Sequence, residues 1–227
     1  FNATVYLDLS KAFDTVNHLI LLDKLQYYGI RGLPLEWLSS YLNDREQYVL
    51  FNDHKSVKLK VQCGVPQGSI LGPLLFLLYI NDLYSTCSKS SLILFADDSS
   101  LILSDPNLKQ LTNDMNSQLE KLSHWFQCNK LSLNVAKTNY MIICAKNKVC
   151  NPNDVKLSIN NKDLEYVTKT KFLGVIIDHH LTWADHIEMV SRKVSKSIGI
   201  ICRARSCLSL TSLISSYYTF IYPYLNY

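Results

Sequence analysis

The amino-acid sequence predicts an α+β fold in which an antiparallel sheet packs on helices. Three observations predict it. Residues 91–103 hold two short apolar runs around the pair Asp97-Asp98, which reads as a β-hairpin with two carboxylates at its tip. Leu108, Leu111, Met115, Leu119, Leu122 and Trp125/Phe126 recur every three to four residues, the stripe of one amphipathic helix covering a sheet. The segments run strand, helices, strands, helix, hairpin, helix, strands, helix.

Taken in order, residues 4–10 alternate. Val5, Leu7 and Leu9 face one way, and Tyr6, Asp8 and Ser10 the other. Asp8 thus stands near the end of a strand, on the face away from its most apolar residues. A helix follows over residues 15–28 with Leu19, Leu22 and Leu25, and Gly29 closes it at C′. Pro34, a good first-turn residue, opens a second helix through Trp37 and Tyr41. Residues 47–51 and 57–61 are strand-like around a polar loop and form a hairpin. Residues 64–73 hold three glycines and two prolines. Glycines ahead of a helix let backbone N–H groups approach a ligand, although a plain tight connection uses the same residues. Residues 74–83 read as a buried helix. Both runs of the 91–103 hairpin are apolar at nearly every position, which predicts strands covered on both faces. Residues 131–138 lead to a strand over 140–144 and a polar surface loop over 145–156. Residues 171–178 read as another strand, with Gly174 marking a bulge or a close approach. From Trp183 onward, Ile187, Val190, Val194, Ile198 and Ile201 recur at helical spacing. There is no internal repeat.

At 227 residues and 48% hydrophobic content the chain can bury a real core. The longest apolar stretch, residues 70–80, is broken by Gly72 and Pro73 and is too short to span a membrane. Seven cysteines (63, 87, 128, 144, 150, 202 and 207) lack a CxxC spacing and follow no signal peptide. They read as reduced thiols, which places the protein inside the cell, in nucleus or cytoplasm, and not among secreted proteins. The net charge of +4 hides an asymmetry. Residues 1–105 carry 8 Lys/Arg against 11 Asp/Glu, and residues 106–227 carry 15 against 8. An acidic first half with a basic tail suits a cation site beside a polyanion track; a solvated basic helix face reads the same way. Phe1 and Tyr227 both fall inside unfinished patterns, which suggests a piece of a longer polypeptide.

Adjacent carboxylates at a hairpin tip repel, and one of them tends to hold a proton. A divalent cation removes the conflict, and Mg²⁺ takes one or two protein carboxylates and fills its other positions with water and phosphate oxygens. A plain acidic turn remains an alternative for this pair alone. Asp8 can meet the tip on a shared sheet. Three carboxylates can hold two Mg²⁺ ions about 3.5–4 Å apart, the arrangement that serves phosphoryl transfer in polymerases and nucleases.

Five segments then resemble, in order and spacing, the palm motifs of reverse transcriptases, specifically those of non-LTR (LINE-like) retrotransposons. They are Asp8-Leu9-Ser10-Lys11-Ala12-Phe13-Asp14, Val65-Pro66-Gln67-Gly68-Ser69, Phe95-Ala96-Asp97-Asp98, Leu133-Asn134 with Lys137-Thr138, and Phe172-Leu173-Gly174. Phe95 stands where many reverse transcriptases carry Tyr. The resemblance implies an RNA-directed DNA polymerase, a nucleotidyltransferase that adds deoxynucleotides to a primer 3′-hydroxyl. The fold it implies is a right-hand polymerase palm over residues 1–185, with residual fingers-side elements. The start of a truncated helical thumb would occupy residues 186–227.

The implied cofactor is Mg²⁺, two ions, with Mn²⁺ as a substitute. The implied ligands are Asp8 and Asp97, assisted by Asp98 and by the Leu9 carbonyl. Phe13 would be a steric gate that leaves no room for a ribose 2′-hydroxyl; a core aromatic is the plainer reading. Gln67 and Gly68 would line the pocket of the incoming nucleotide and template. Lys137 would sit near the triphosphate and protonate the pyrophosphate. Phe172, Leu173 and Gly174 would form a primer grip. Arg192, Lys193 and Lys196 would contact duplex phosphates. Asp14 is expected to be structural. The implied partners are an RNA template, a DNA primer or target and deoxynucleoside triphosphates. The alternative is a catalytically inert retrotransposon-derived fragment that folds and at most binds nucleic acid.

Overall fold

A computed structural model describes residues 1–148 and 155–227. Cys150 and half of the expected surface loop, residues 149–154, lie outside the described residues. Two compact units divide the chain, residues 1–167 and residues 168–227.

The first unit opens with β1 (Asn2–Leu7) and β2 (Leu9–Ser10). The alternation over residues 4–10 predicts one strand, but the chain breaks at Asp8. The reason is a change of partner: Leu7 is the last residue paired in the main sheet, and Leu9 pairs with Leu133 instead. A 3-10 turn (Ala12–Asp14) precedes α1 (His18–Tyr27). The helix starts three residues later than expected because Asn17 caps it, its side chain accepting the Ile20 N–H at 3.1 Å. Gly29, at φ 96°, closes it as expected. Next come α2 (Leu33–Leu42) and a nested hairpin of short strands, β3 (Glu46–Gln47), β4 (Leu50–Phe51), β5 (His54–Lys55) and β6 (Leu59–Lys60). Helix α3 (Leu71–Ile80) begins three residues before the expected start. Gly72 and Pro73 lie in its first turn, where Pro costs no intrahelical hydrogen bond.

The hairpin of β7 (Ser91–Phe95) and β8 (Asp98–Ser104) forms as expected, but not with both strands covered. β8 is mostly buried, whereas β7 is the sheet edge and exposes Ile93 and Phe95. Helix α4 (Leu108–Cys128), β9 (Ser132–Leu133), β10 (Asn139–Ile143), β11 (Ser158–Ile159), β12 (Lys162–Asp163) and β13 (Glu165–Tyr166) complete the unit. The main sheet runs β13-β10-β1-β8-β7. Its pairs are antiparallel except β10 with β13.

Helices cover this sheet. Val5, Leu101 and Ile142 of its three central strands are fully buried, as are Phe76 and Tyr79 of α3 and Leu111, Met115, Leu119 and Leu122 of α4. Burying each such side chain contributes roughly 1.5–3 kcal/mol. The expected α4 stripe is core. Polar ties cross the same interior. The Tyr79 hydroxyl donates to the Asn129 carbonyl at 2.6 Å. Lys24 reaches the Tyr79 carbonyl at 2.7 Å and the Asp82 carboxylate at 2.5 Å, with its ammonium over the Trp125 ring.

In the second unit, residues 171–178 are not one strand. β14 (Lys169–Phe172) and β15 (Val175–Asp178) form a hairpin turned by Leu173 and Gly174, at φ 47° and 89°. Two successive residues at positive φ make the tight turn whose twist suits antiparallel strands. The long helix α5 (Ala184–Ala204) follows at its expected place, then α6 (Leu210–Phe220) and α7 (Tyr222–Asn226). The six described cysteines form no disulfide with one another. Among the described residues no helix is long and apolar enough to cross a membrane.

Burial pushes the hydroxyls of Tyr6, Tyr28 and Tyr79 up, Tyr6 to about 12. The unfolded chain ionises these groups near 10. Their stabilisation is therefore complete below pH 10 and lost as pH climbs toward 12. Urea midpoints measured from pH 8 to 11 should be flat to about pH 9.5 and then fall. Tyr6→Phe should remove about 1 kcal/mol of that fall at pH 11.

Candidate active site

Asp8 marks the place where β1 ends. Leu7 pairs with Ser99 of β8. The next residues along these antiparallel strands are Asp8 and Asp98, so the register brings them side by side. Asp97 lies in the two-residue turn closed by the Phe95–Asp98 pair, with Ala96 supplying the positive φ of 52°. One end of the sheet thus carries three aspartates, from two distant stretches of sequence. Their proximity is felt electrostatically: the Asp98 carboxyl is pushed above its ordinary value by burial first, then by the charges of Asp97 and Asp8.

The backbone of Asp8 is held from the other side. Its N–H donates to Thr138 Oγ1 at 3.3 Å, and its carbonyl accepts the Asn134 N–H at 2.8 Å. Thr138 is fully buried, and its hydroxyl donates to the Asn134 carbonyl at 3.0 Å. Lys137 occupies the exposed turn between them. Asn134, Lys137 and Thr138 all stand in the fourth motif quoted from sequence, but only Lys137 was given a role there; that Asn134 and Thr138 fix Asp8 depends on a contact no local pattern encodes.

Beside the carboxylates lies a cleft of about 400 Å³ lined by Leu9, Lys11, Ala12, Phe13, Gln67, Gly68, Pro73 and Asp97. Three segments far apart in sequence meet here, and Leu9, Phe13, Gln67, Gly68 and Asp97 are all residues singled out from sequence. Lys11, its cationic member, was not. Phe13 is half-buried, and its ring rests on the fully buried Phe76, with centroids 4.6 Å apart. It is therefore both a core-supported aromatic and a cleft wall.

A short clamp joins the first two segments. The Gly64 N–H donates to the Val16 carbonyl at 2.7 Å and the Val65 N–H to the Phe13 carbonyl at 2.8 Å. His18 Nε2 donates to the Gly64 carbonyl at 2.8 Å. Gly64, at φ 88°, lies so close that a Cβ would stand 2.8 Å from the Asp14 carbonyl oxygen. Across the clamp Gln67 Nε2 donates to Asp14 Oδ1 at 2.8 Å.

The remaining residues named from sequence belong to the second unit. Leu173 and Gly174 form the β14–β15 turn, and Phe172 precedes it. The Tyr227 hydroxyl donates to the Leu173 carbonyl, and its ring would stand 3.3 Å from a Cβ at Gly174. Gly174 is thus at a close approach, in a turn and not a bulge. Arg192, Lys193 and Lys196 share a cleft of about 420 Å³ with Lys169, Asp185 and Glu188. Arg192 pairs with Glu188, and the Lys193 ammonium lies over the Tyr224 ring.

Carboxylate oxygens are the donors that hard divalent cations prefer, and the crowding at Asp98 is the charge pattern such an ion relieves. Among the described residues no three His, Cys, Asp or Glu side chains are gathered closely enough to hold a metal ion by themselves. Mg²⁺ does not need three: one or two carboxylates suffice when phosphate oxygens complete its shell. The donor set fits.

A model of the family described as reverse transcriptase (RNA-dependent DNA polymerase) matches residues 2–177. The chain belongs to the reverse transcriptase family. Relatives include the probable RNA-directed DNA polymerases of two Drosophila melanogaster transposons. That of transposon BS is 29% identical over 83% of the chain and 21% of its own length. That of the X-element is 29% identical over 99% of the chain and 25% of its own length. The chain therefore spans about a fifth to a quarter of the length of these two relatives. It is a reverse transcriptase domain of the non-LTR retrotransposon type. A solved telomerase from Candida tropicalis, bound to a fragment of telomeric RNA, superposes with a TM-score of 0.54 at 13% identity, covering 99% of the chain and 37% of the telomerase. That likeness extends the family assignment to the fold, a palm-type sheet packed on helices. Divalent metal ions are general to this reverse transcriptase family.

Gly64 and Gly29 separate two effects. Both have positive φ, but nothing lies within 4 Å of a Cβ at Gly29. Gly29→Ala should cost about 1 kcal/mol, the left-handed penalty alone. Gly64→Ala should cost about 2–4 kcal/mol, because Asp14 backbone must also move. Urea unfolding of the two variants decides; equal costs would mean that the clamp tolerates a wider gap.

Proposed function

We propose that this chain is the catalytic palm of an RNA-directed DNA polymerase, which extends a DNA primer on an RNA template with deoxynucleoside triphosphates. The observation that carries the reading is the convergence of Phe13, Gln67, Gly68 and Asp97 on one cleft, beside a carboxylate group centred on Asp98. Asp8 and Asp97, with Asp98, would hold two Mg²⁺ ions. Bound there, such ions lower the pKa of an attacking hydroxyl and stabilise charge on a leaving pyrophosphate.

The chain's own residues supply the rest. Phe13, braced by Phe76, forms a wall against which a deoxyribose fits and a 2′-hydroxyl does not. Gln67 and Gly68 form the facing wall. Lys137, on the turn that anchors Asp8, donates a proton to the departing pyrophosphate. Leu173 and Gly174 hold the primer end, and Arg192, Lys193 and Lys196 contact backbone phosphates of the duplex. The palm comprises residues 1–185 and the beginning of a thumb residues 186–227. The site of action proposed is intracellular, in nucleus or cytoplasm, on the cysteine spacing of the sequence.

Primer extension on an RNA template with Mg²⁺ tests this, using the chain alone and the chain preceded by the fingers of its parent reading frame. Asp97→Ala should reduce extension by roughly a thousandfold. Phe13→Val should raise ribonucleotide incorporation relative to deoxynucleotide by about tenfold or more. Absence of extension by both folded wild-type proteins would favour an inert retrotransposon-derived fragment.

A further inference from the structure

Asp14 lies outside the cleft, yet it touches a residue that lines it. Gln67 Nε2 donates to Asp14 Oδ1 at 2.8 Å. We propose that Asp14 is a positioning residue of the nucleotide cleft: its carboxylate fixes the Gln67 amide so that Oε1 is presented to the substrate as an acceptor. This rests on reading the cleft as the nucleotide site.

The chemistry of the two groups sets the direction. An ionised carboxylate only accepts hydrogen bonds, and an amide has one accepting and one donating end. Only the NH₂ end of Gln67 can face Asp14; the flipped amide would set two oxygens against each other. One N–H is consumed, which leaves Oε1 and the second N–H for the cleft. A free glutamine amide presents either end. One held by Asp14 presents a defined acceptor, and a substrate lacking a matching donor would leave that acceptor unpaired.

The surroundings make Asp14 a firm anchor. Its N–H donates to the Lys11 carbonyl at 2.9 Å, and its backbone is pressed against Gly64. Phe13, one residue earlier, is bound through its carbonyl to Val65, two residues before Gln67. Donor and acceptor therefore stand on facing segments whose separation is set by backbone hydrogen bonds. Asp14 and Gln67 are both exposed, so replacing either removes no core packing.

Two measurements test the assignment. In ¹H–¹⁵N spectra of the whole chain, the Gln67 side-chain NH₂ pair, identified by its loss in Gln67→Ala, should move toward free-amide values in Asp14→Ala. In primer extension by the active form, Asp14→Ala and Gln67→Ala should each raise the KM for deoxynucleotide about five- to tenfold with kcat within about twofold. The double variant should be no worse than Gln67→Ala alone. Asp14→Asn, which can bond either end of the amide, should keep the wild-type melting temperature without restoring KM. Additive effects, or a Gln67 resonance that does not move, would overturn the proposal. A wild type that extends no primer would overturn the polymerase reading alone, and the Gln67 resonance would still decide the role of Asp14.

Discussion

The pairing of Leu7 with Ser99 is the constraint on which the candidate site depends. Side chains in a strand alternate, so a register is all or nothing: one residue of slip would turn Asp8 away from the hairpin tip. The register is held by what lies beneath it. Val5 and Leu101, paired two positions back, are fully buried against the helices. Apolar burial thus specifies the alignment, and the alignment forces together carboxylates that electrostatics alone would separate. Burial first, and then the charges of Asp97 and Asp8 that the alignment brings near, raise the Asp98 carboxyl. Sites built for charged ligands commonly concentrate such shifts, because the ligand removes them.

The break at Asp8 follows from the same arrangement. A strand that stayed in the main sheet would carry residues 8–10 on past the hairpin. By changing partner to β9, the chain leaves at the carboxylate and enters the tight 3-10 turn that delivers Phe13 to the cleft. The two hydrogen bonds from residues 134 and 138 satisfy the Asp8 backbone at the point where the ladder abandons it. The clamp between residues 13–18 and 63–67 does similar work on the opposite wall. Two of its hydrogen bonds join backbone to backbone, and the close approach of Gly64, at φ 88°, to the Asp14 backbone explains why a glycine stands at its centre.

The second unit uses different means. Its hairpin is turned by two residues at positive φ, one of them a leucine, and the carbonyl of that leucine is engaged by Tyr227. A leucine there is strained relative to glycine, and such strain persists only where neighbours over-determine the backbone. The α5 helix gathers Arg192, Lys193 and Lys196 on one exposed stretch without burying any residue fully.

Much of this was legible in the sequence. Period-two and period-3.6 patterns determined the strands, the hairpin around Asp97-Asp98, the α4 stripe and the long α5 helix, because local periodicity is what a half-buried element imposes on its residues. Five short motifs determined the family and named most of the residues that line the cleft. The local pattern failed where a long-range partner overruled it. Residues 4–10 read as one strand until β9 claimed Leu9, and the apolar β7 read as covered on both faces although it ends at the sheet edge. Residues 171–178 read as one strand because a leucine at φ 47° leaves no signature in composition. Only the tertiary structure decided that Asp8 meets Asp98, that Thr138 and Asn134 fix Asp8, and that Asp14 holds Gln67. Each is a contact between residues 50 to 130 positions apart. Such contacts are set by sheet register and backbone clamps, and no spacing along the chain encodes them.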